Sequence, residues 1–219
     1  MLSSEADIVQ THLKRVPRQE RSQLRFEQVI EVALRLFGER GYEAVSMREI
    51  AREANTPIAS IYQYFPTKQA IVKEIWVRYS QTVREQLGAD LLAFVEAKQQ
   101  QGGELLIERM VDLITALQLS SPAYVEVWGC IAATPELRVL NDQDTLVLAG
   151  MVTEAIMSVR PDVERDDIEG LALMLTEAAS SITKLTLALP EPQRNHIIRQ
   201  LKNTMTRLYR ATLGVQAPS

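Results

Sequence analysis

Apolar positions recur every three to four residues along nearly the whole chain, and no segment shows the strict alternation of a half-buried strand. The pattern predicts an all-helical protein. Phe26, Ile30, Ala33 and Phe37 share one face of a first helix over 22–39, and Gly41 follows where a left-handed cap belongs. Ser46-Met47-Arg48-Glu49 has the form of a capping box: the serine oxygen can accept from the Glu49 amide, and Glu49 can reach back to the serine amide. A second, short helix therefore starts at Ser46, with Met47, Ile50, Ala51 and Ala54 inward. Asn55-Thr56-Pro57 predicts a tight turn, with Asn55 in a left-handed conformation, Thr56 as N-cap and Pro57 as first helical residue. A third short helix then covers 57–64 and a longer fourth 68–87. Further helices are expected over 89–100, 104–119, 122–133, 143–159, 166–188 and 191–213. Breaks fall at Gly102-Gly103, Ser120-Ser121-Pro122, Thr134-Pro135, Arg160-Pro161 and Pro190.

Composition narrows the function. Cys130 is the only cysteine, so an internal disulfide and a Cys-rich metal site are both excluded. The two histidines, His12 and His196, lie near opposite ends, and neither has a hydrolase motif around it. No Glu-x-x-His pair is present. The expectation is a protein that is not an enzyme and needs no cofactor. No apolar run reaches the ~18 residues of a membrane helix, and no signal-peptide pattern opens the sequence, so a cytoplasmic location is expected. The net charge of −4 alone argues against nucleic acid. Its distribution does not: residues 1–80 carry twelve basic and ten acidic side chains, residues 81–219 twelve and eighteen. A basic head on an acidic body is expected where one end meets phosphate. Lys14, Arg15, Arg18, Arg21 and Arg25 form the densest cluster, either a mobile tail or a minor-groove arm.

Residues 46–65 read as two short helices joined by a tight turn, the helix-turn-helix pattern whose second helix enters the DNA major groove. Ile50, Ala51, Ala54 and Ile61 are small or apolar where the helices must cross. Over residues 26–75 the resemblance becomes specific. Ala33, Leu36-Phe37, Gly41-Tyr42, Ser46 to Ala51, Ala54, Ile61-Tyr62-Gln63-Tyr64-Phe65, Lys68 and Ile71 together resemble the DNA-binding head of the TetR family of bacterial transcription regulators. The resemblance implies that 57–64 is the recognition helix, with Ile58, Ala59 and Ser60 on its base-facing turn. It implies that Arg48 can reach a base edge and that Ser46, Tyr62, Tyr64 and Lys68 contact phosphates, as hydroxyl and ammonium donors can. Family members often carry Gly, Lys and Gly where Asn55, Ile58 and Ala59 stand here. Ile58 can only pack on a thymine methyl, so base reading falls mainly to Arg48 and Ser60, with DNA shape contributing. The alternative for Tyr62 and Tyr64 is a core role, the role assigned here to Phe65.

The resemblance also implies a second, larger helical domain that senses a small molecule and dimerises. The domains expected are a flexible basic arm over 1–17, a helix-turn-helix domain over 18–66, a ligand-binding and dimerisation domain over 67–213 and a disordered tail over 214–219. Trp76, Phe94, Tyr124 and Trp128 are the candidate ligand-lining residues, and plain core is their alternative. Glu126, among apolar neighbours, either points to water or, if buried, needs a cation such as Arg109. Ile168, Leu171, Ala172, Leu175, Ala178, Ala179, Ile182, Leu185 and Leu189 form a stripe that Leu173 and Met174 widen beyond one face. Helices 166–188 and 191–213 are therefore the candidate homodimer interface, or else only close the monomer core. The resulting expectation is a repressor on a near-palindromic operator in double-stranded DNA, released by a small hydrophobic effector. Control by a protein partner without any small-molecule effector is the alternative.

Overall fold

The computed structural model describes residues 20–97, 103–121 and 123–214. The arm expected over 1–17, with Lys14 and Arg15, and the tail beyond Gly214 lie outside them. The described residues form nine α-helices and no strand: α1 (Glu20–Arg40), α2 (Met47–Glu53), α3 (Ile58–Tyr64), α4 (Lys68–Glu96), α5 (Gly103–Leu119), α6 (Ala123–Ala133), α7 (Pro135–Val159), α8 (Arg165–Thr186) and α9 (Glu191–Leu213).

Three expectations need correction. Thr56 is not an N-cap. Its amide donates to Ala51 O at 3.0 Å and its hydroxyl turns back to Ala54 O at 3.0 Å, so the Pro57 carbonyl takes the first helical amides, those of Ser60 and Ile61. The helices expected over 68–87 and 89–100 are one. Gly88 costs an interior turn only about 1 kcal/mol, too little to break a helix packed on both sides of it. The helix expected from 143 starts at Pro135, where the absent N–H is one that no helix start would pair; the Thr134 carbonyl accepts from Leu137 and Arg138, both at 3.0 Å.

Compactness divides the described residues into two units, one up to Ser80 together with Ser121–Arg138, the other Gln81–Ser120 with the residues from Val139 on. The first unit thus joins the three-helix head to α6, which the sequence assigns to the larger domain. In it α1 packs against α2, α3 and α6. Phe37, Leu36, Ile50, Ile61, Phe65 and Ile71 are fully buried. Phe26 stacks on Phe65 at 4.8 Å between ring centroids and meets Tyr64 edge-on at 5.7 Å. Gly38 lets α6 come close: a Cβ there would lie 3.0 Å from the Ala123 amide nitrogen. Arg78 ties α4 to α1. Its guanidinium forks onto Glu27, holds Glu74 at 2.9 Å and lies over the Phe26 ring. Arg78→Met is expected to lower unfolding stability by about 1–3 kcal/mol, because the buried Glu74 carboxylate loses a charged partner; chemical denaturation measures it.

In the second unit α5, α8 and α9 pack on one another. Ile107, Val111, Ile168, Leu171, Leu175, Leu201, Met205 and Tyr209 fill their common core. Ion pairs close its edges, Lys202 with Asp112 at 2.6 Å and Arg84 with Asp144 at 2.6 Å. On α8, Met174 and Leu185 stay 51% and 70% exposed although each follows the helical apolar stripe, so the protomer leaves part of that stripe uncovered.

Candidate nucleic-acid interface

The α2–α3 pair forms as its local chemistry dictates. Ser46 Oγ accepts from the Glu49 amide at 3.3 Å, and the Glu49 carboxylate accepts from the Ser46 amide at 2.8 Å, completing the capping box. Those bonds from Ser46, backbone first, hold the Glu49 carboxyl below its usual range, with Arg40 and Arg52 adding to it. Asn55 takes the turn at φ 45°, the left-handed conformation its short polar side chain tolerates. Ile50, Ala54 and Ile61 are fully buried at the crossing and fix the angle between the two helices.

What α3 leaves outward is one face. Ala59, Tyr62 and Gln63 are exposed, and Ile58 and Ser60 are half-buried. These positions have the spacing of three and four that lines a single helical edge. Arg48 on α2 is exposed and forms no ion pair with any described residue. Ser46 is exposed, with its hydroxyl engaged by Glu49. Tyr64 stands elsewhere: its ring is 8% exposed and edge-on to Phe26, so the expected phosphate contact gives way to a core role for the ring. Gln63 is the residue that sequence reasoning passed over. Its signal was its register, three and four residues from Ser60 and Ala59 on a helix whose inward face is set by Ile61 and Tyr64.

Lys68 has a structural task. Its Nζ donates to the carbonyls of Tyr42 at 2.6 Å and Val45 at 2.8 Å, and it lies 4.0 Å over the Tyr42 ring. The α1–α2 loop is gripped from the other side by Glu126 on α6, which accepts the Tyr42 amide at 2.9 Å. Neither outcome expected for Glu126, open water or a cationic partner, describes this contact: its partner is a backbone amide. Burial first, and then contact with Cys130 on α6, push the Tyr42 phenol well above its ordinary range. Gly41, at φ +83°, makes the sharp exit from α1 that brings Tyr42 to this point.

The family model described as bacterial regulatory proteins, tetR family, matches residues 29–75, and the Tetracyclin repressor-like C-terminal domain model matches 102–211, half of the chain. The chain belongs to the TetR family. It is a helix-turn-helix DNA-binding transcription regulator and not an enzyme. Among curated relatives it is similar to the transcriptional regulator AcrR of Shigella flexneri, 36% identical over 64 residues, 29% of either chain. It is similar to HbdR of an Aromatoleum species, 37% identical over 67 residues, again 29% of each. The match thus spans under a third of the length of these relatives. Solved structures share the fold over much more: a TetR-family regulator from Mesorhizobium loti at TM-score 0.70, 17% identity, 88% of this chain and 98% of that one. Another is a transcriptional regulator from Saccharomonospora viridis in complex with choline, at TM-score 0.61, 22% identity, 84% of this chain and 96% of that one.

In this TetR-family chain the candidate ligand residues fall into two groups. Trp76, Tyr124 and Trp128 come together with Tyr79 in one aromatic cluster, with ring centroids 5.1–5.7 Å apart. Phe94 is in the core of the second unit, among Leu91, Leu106 and Met110. No helix among the described residues is long and apolar enough to cross a membrane.

Proposed function

We propose that this regulator is a repressor that holds a near-palindromic operator as a homodimer and leaves it when a small, largely apolar molecule binds the helical region beyond the head. The observation that carries the reading is the chain of contacts from Glu126 through Tyr42 to Lys68. It ties α6 to the loop that precedes α2. A molecule that shifts α6 moves Glu126, the Tyr42 amide, and with them the start of the helix-turn-helix. Tenfold release from DNA needs only about 1.4 kcal/mol of coupling, and one charge-assisted hydrogen bond is worth about 1.5–3 kcal/mol, so the clasp is of the right size. A neighbour of the same fold was crystallised with choline, which supports a small-molecule site in such a fold. Glu126→Ala is expected to leave effector-free operator affinity within about threefold and to lower effector-induced release at least tenfold, read by fluorescence anisotropy of a labelled operator.

On the DNA side, Arg48 and Ser60 read bases, Gln63 adds an amide that matches adenine, and Ile58 and Ala59 pack on the groove floor. Ser46, Tyr62 and the remaining N–H of Lys68 face phosphates, as does the Tyr64 hydroxyl if any part of that residue does. Arg48→Ala is expected to cost about 1–3 kcal/mol and to relax preference at one position of each half-site, as binding to a set of point-substituted operators measures. Dimerisation runs through α8 and α9, where Met174, Ala178, Ser181 and Leu185 make a stripe at helical spacing with small residues at its middle.

Trp76 and Trp128 are the only tryptophans and share one cluster, so a molecule entering it changes the emission of both. Titration with a panel of apolar organic compounds should give one whose quenching curve and operator-release curve coincide. A second reading has a specific observation behind it. The four rings of the cluster already pack against one another, which favours a filled interior and control by a protein partner. No quenching by any compound, with operator release only on addition of a protein fraction, decides for that second reading.

A further inference from the structure

A groove of about 440 Å³ runs between α7 and α8 in the second unit, away from the aromatic cluster and from the Glu126 clasp. Leu146, Ala149 and Leu173 supply apolar wall, and Gly150 and Gly170 face into it: a Cβ at either would meet no atom within 4 Å. The volume suits a ligand rather than a few waters. Its charge is one-sided. Glu154, Asp166 and Glu169 line it with Arg165 as the only base. Arg165 reaches across the groove to Glu154 at 2.7 Å and reaches Glu169 at 3.5 Å. One guanidinium thus faces three carboxylates, and the formal excess is two negative charges. The N-terminus of α8 offsets at most about half a charge, so the rim remains anionic.

We infer that this groove is a binding site for an organic cation with an apolar body, its ammonium at Asp166 and Glu169 and its hydrocarbon over Leu146, Ala149 and Leu173. A hydrophobic anion meets the same walls but the wrong rim, and a metal ion would leave the apolar floor unused. A quaternary ammonium suits it, since such a group needs no hydrogen-bond acceptor aimed at it, only carboxylates within a few ångströms and apolar surface around its alkyl arms.

The test is calorimetric titration of the full chain, without DNA, with benzyltributylammonium as probe and a naphthalenesulfonate as anionic control. The expected result is saturable binding of the cation, at least tenfold tighter than of the sulfonate and weakening as salt rises. Asp166→Asn with Glu169→Gln should weaken the cation at least tenfold. Gly170→Leu, which fills the open space without a clash and improves helix propensity, should abolish binding while circular dichroism and the melting temperature hold. Equal affinity for cation and sulfonate, or unchanged binding by Gly170→Leu, overturns the inference. So does a groove that binds the probe only when the protein is diluted to monomers, since a second copy would then be its occupant. None of these readouts involves operator release, so failure here leaves the proposed function standing, and failure there leaves the groove.

Discussion

Leu185→Glu is expected to convert a dimer into a folded monomer. Leu185 is 70% exposed in the protomer, so a carboxylate there meets water and the monomer keeps its core. In the proposed interface the same carboxylate is buried against α8 and α9 of a second copy without a partner. A buried unpaired charge costs about 3–5 kcal/mol, and the two-fold repeats the cost. The dimer dissociation constant should rise more than a hundredfold, which sedimentation velocity measures, with little change in thermal melting. Operator affinity should collapse with it, because the second half-site contact becomes a separate bimolecular event. A dimer of unchanged dissociation constant would move the interface off this stripe.

The second large effect concerns Lys68. If it served only a phosphate, Lys68→Met would leave stability alone and lower the salt slope of DNA binding by about one. Its two carbonyl bonds, at 2.6 and 2.8 Å, predict otherwise. Methionine keeps the hydrocarbon stem but leaves the carbonyls of Tyr42 and Val45 without the ammonium. A charged hydrogen bond is worth about 1.5–3 kcal/mol and the contact with the Tyr42 ring about 0.5–1. The expected loss is about 2–4 kcal/mol of unfolding stability in urea, with operator binding lost at low and high salt alike.

The contrast between Ser46 and Lys68 marks what the sequence made legible. The Ser46–Glu49 box, the left-handed Asn55 and Gly41, and the apolar crossing of Ile50, Ala54 and Ile61 are all local. Each depends on residues within a few positions, and each is where the pattern placed it. Boundaries moved where a local preference was weak against packing. Gly88 did not end α4, and Pro135 opened a helix where the apolar pattern was still faint. What stayed illegible is long-range. Lys68 meets carbonyls 23 and 26 residues away, and Glu126 an amide 84 residues away. Nothing in their own neighbourhoods distinguishes them from solvated surface charges. Tyr64 and Tyr62 illustrate the same limit two residues apart. Both are aromatic and amphipathic, and only the position of Phe26 on another helix decides that the first is buried and the second 45% exposed. The aromatic stripe likewise named Trp76, Tyr124 and Trp128, but not that they would lie against each other or that Phe94 would join a different core.

The most direct test of the account is selection of bound fragments from sheared genomic DNA by the purified wild-type protein in the absence of effector, with Arg48→Ala run beside it. The account predicts enrichment of a sequence with two inverted half-sites whose centres lie about one helical turn apart, ~34–36 Å, because two recognition helices of a symmetric dimer must enter successive major grooves on one face. The Arg48→Ala protein should enrich the same sites with one position of each half-site relaxed. Recovery of fragments without any shared sequence, or of a single unrepeated half-site bound by monomers, would contradict it.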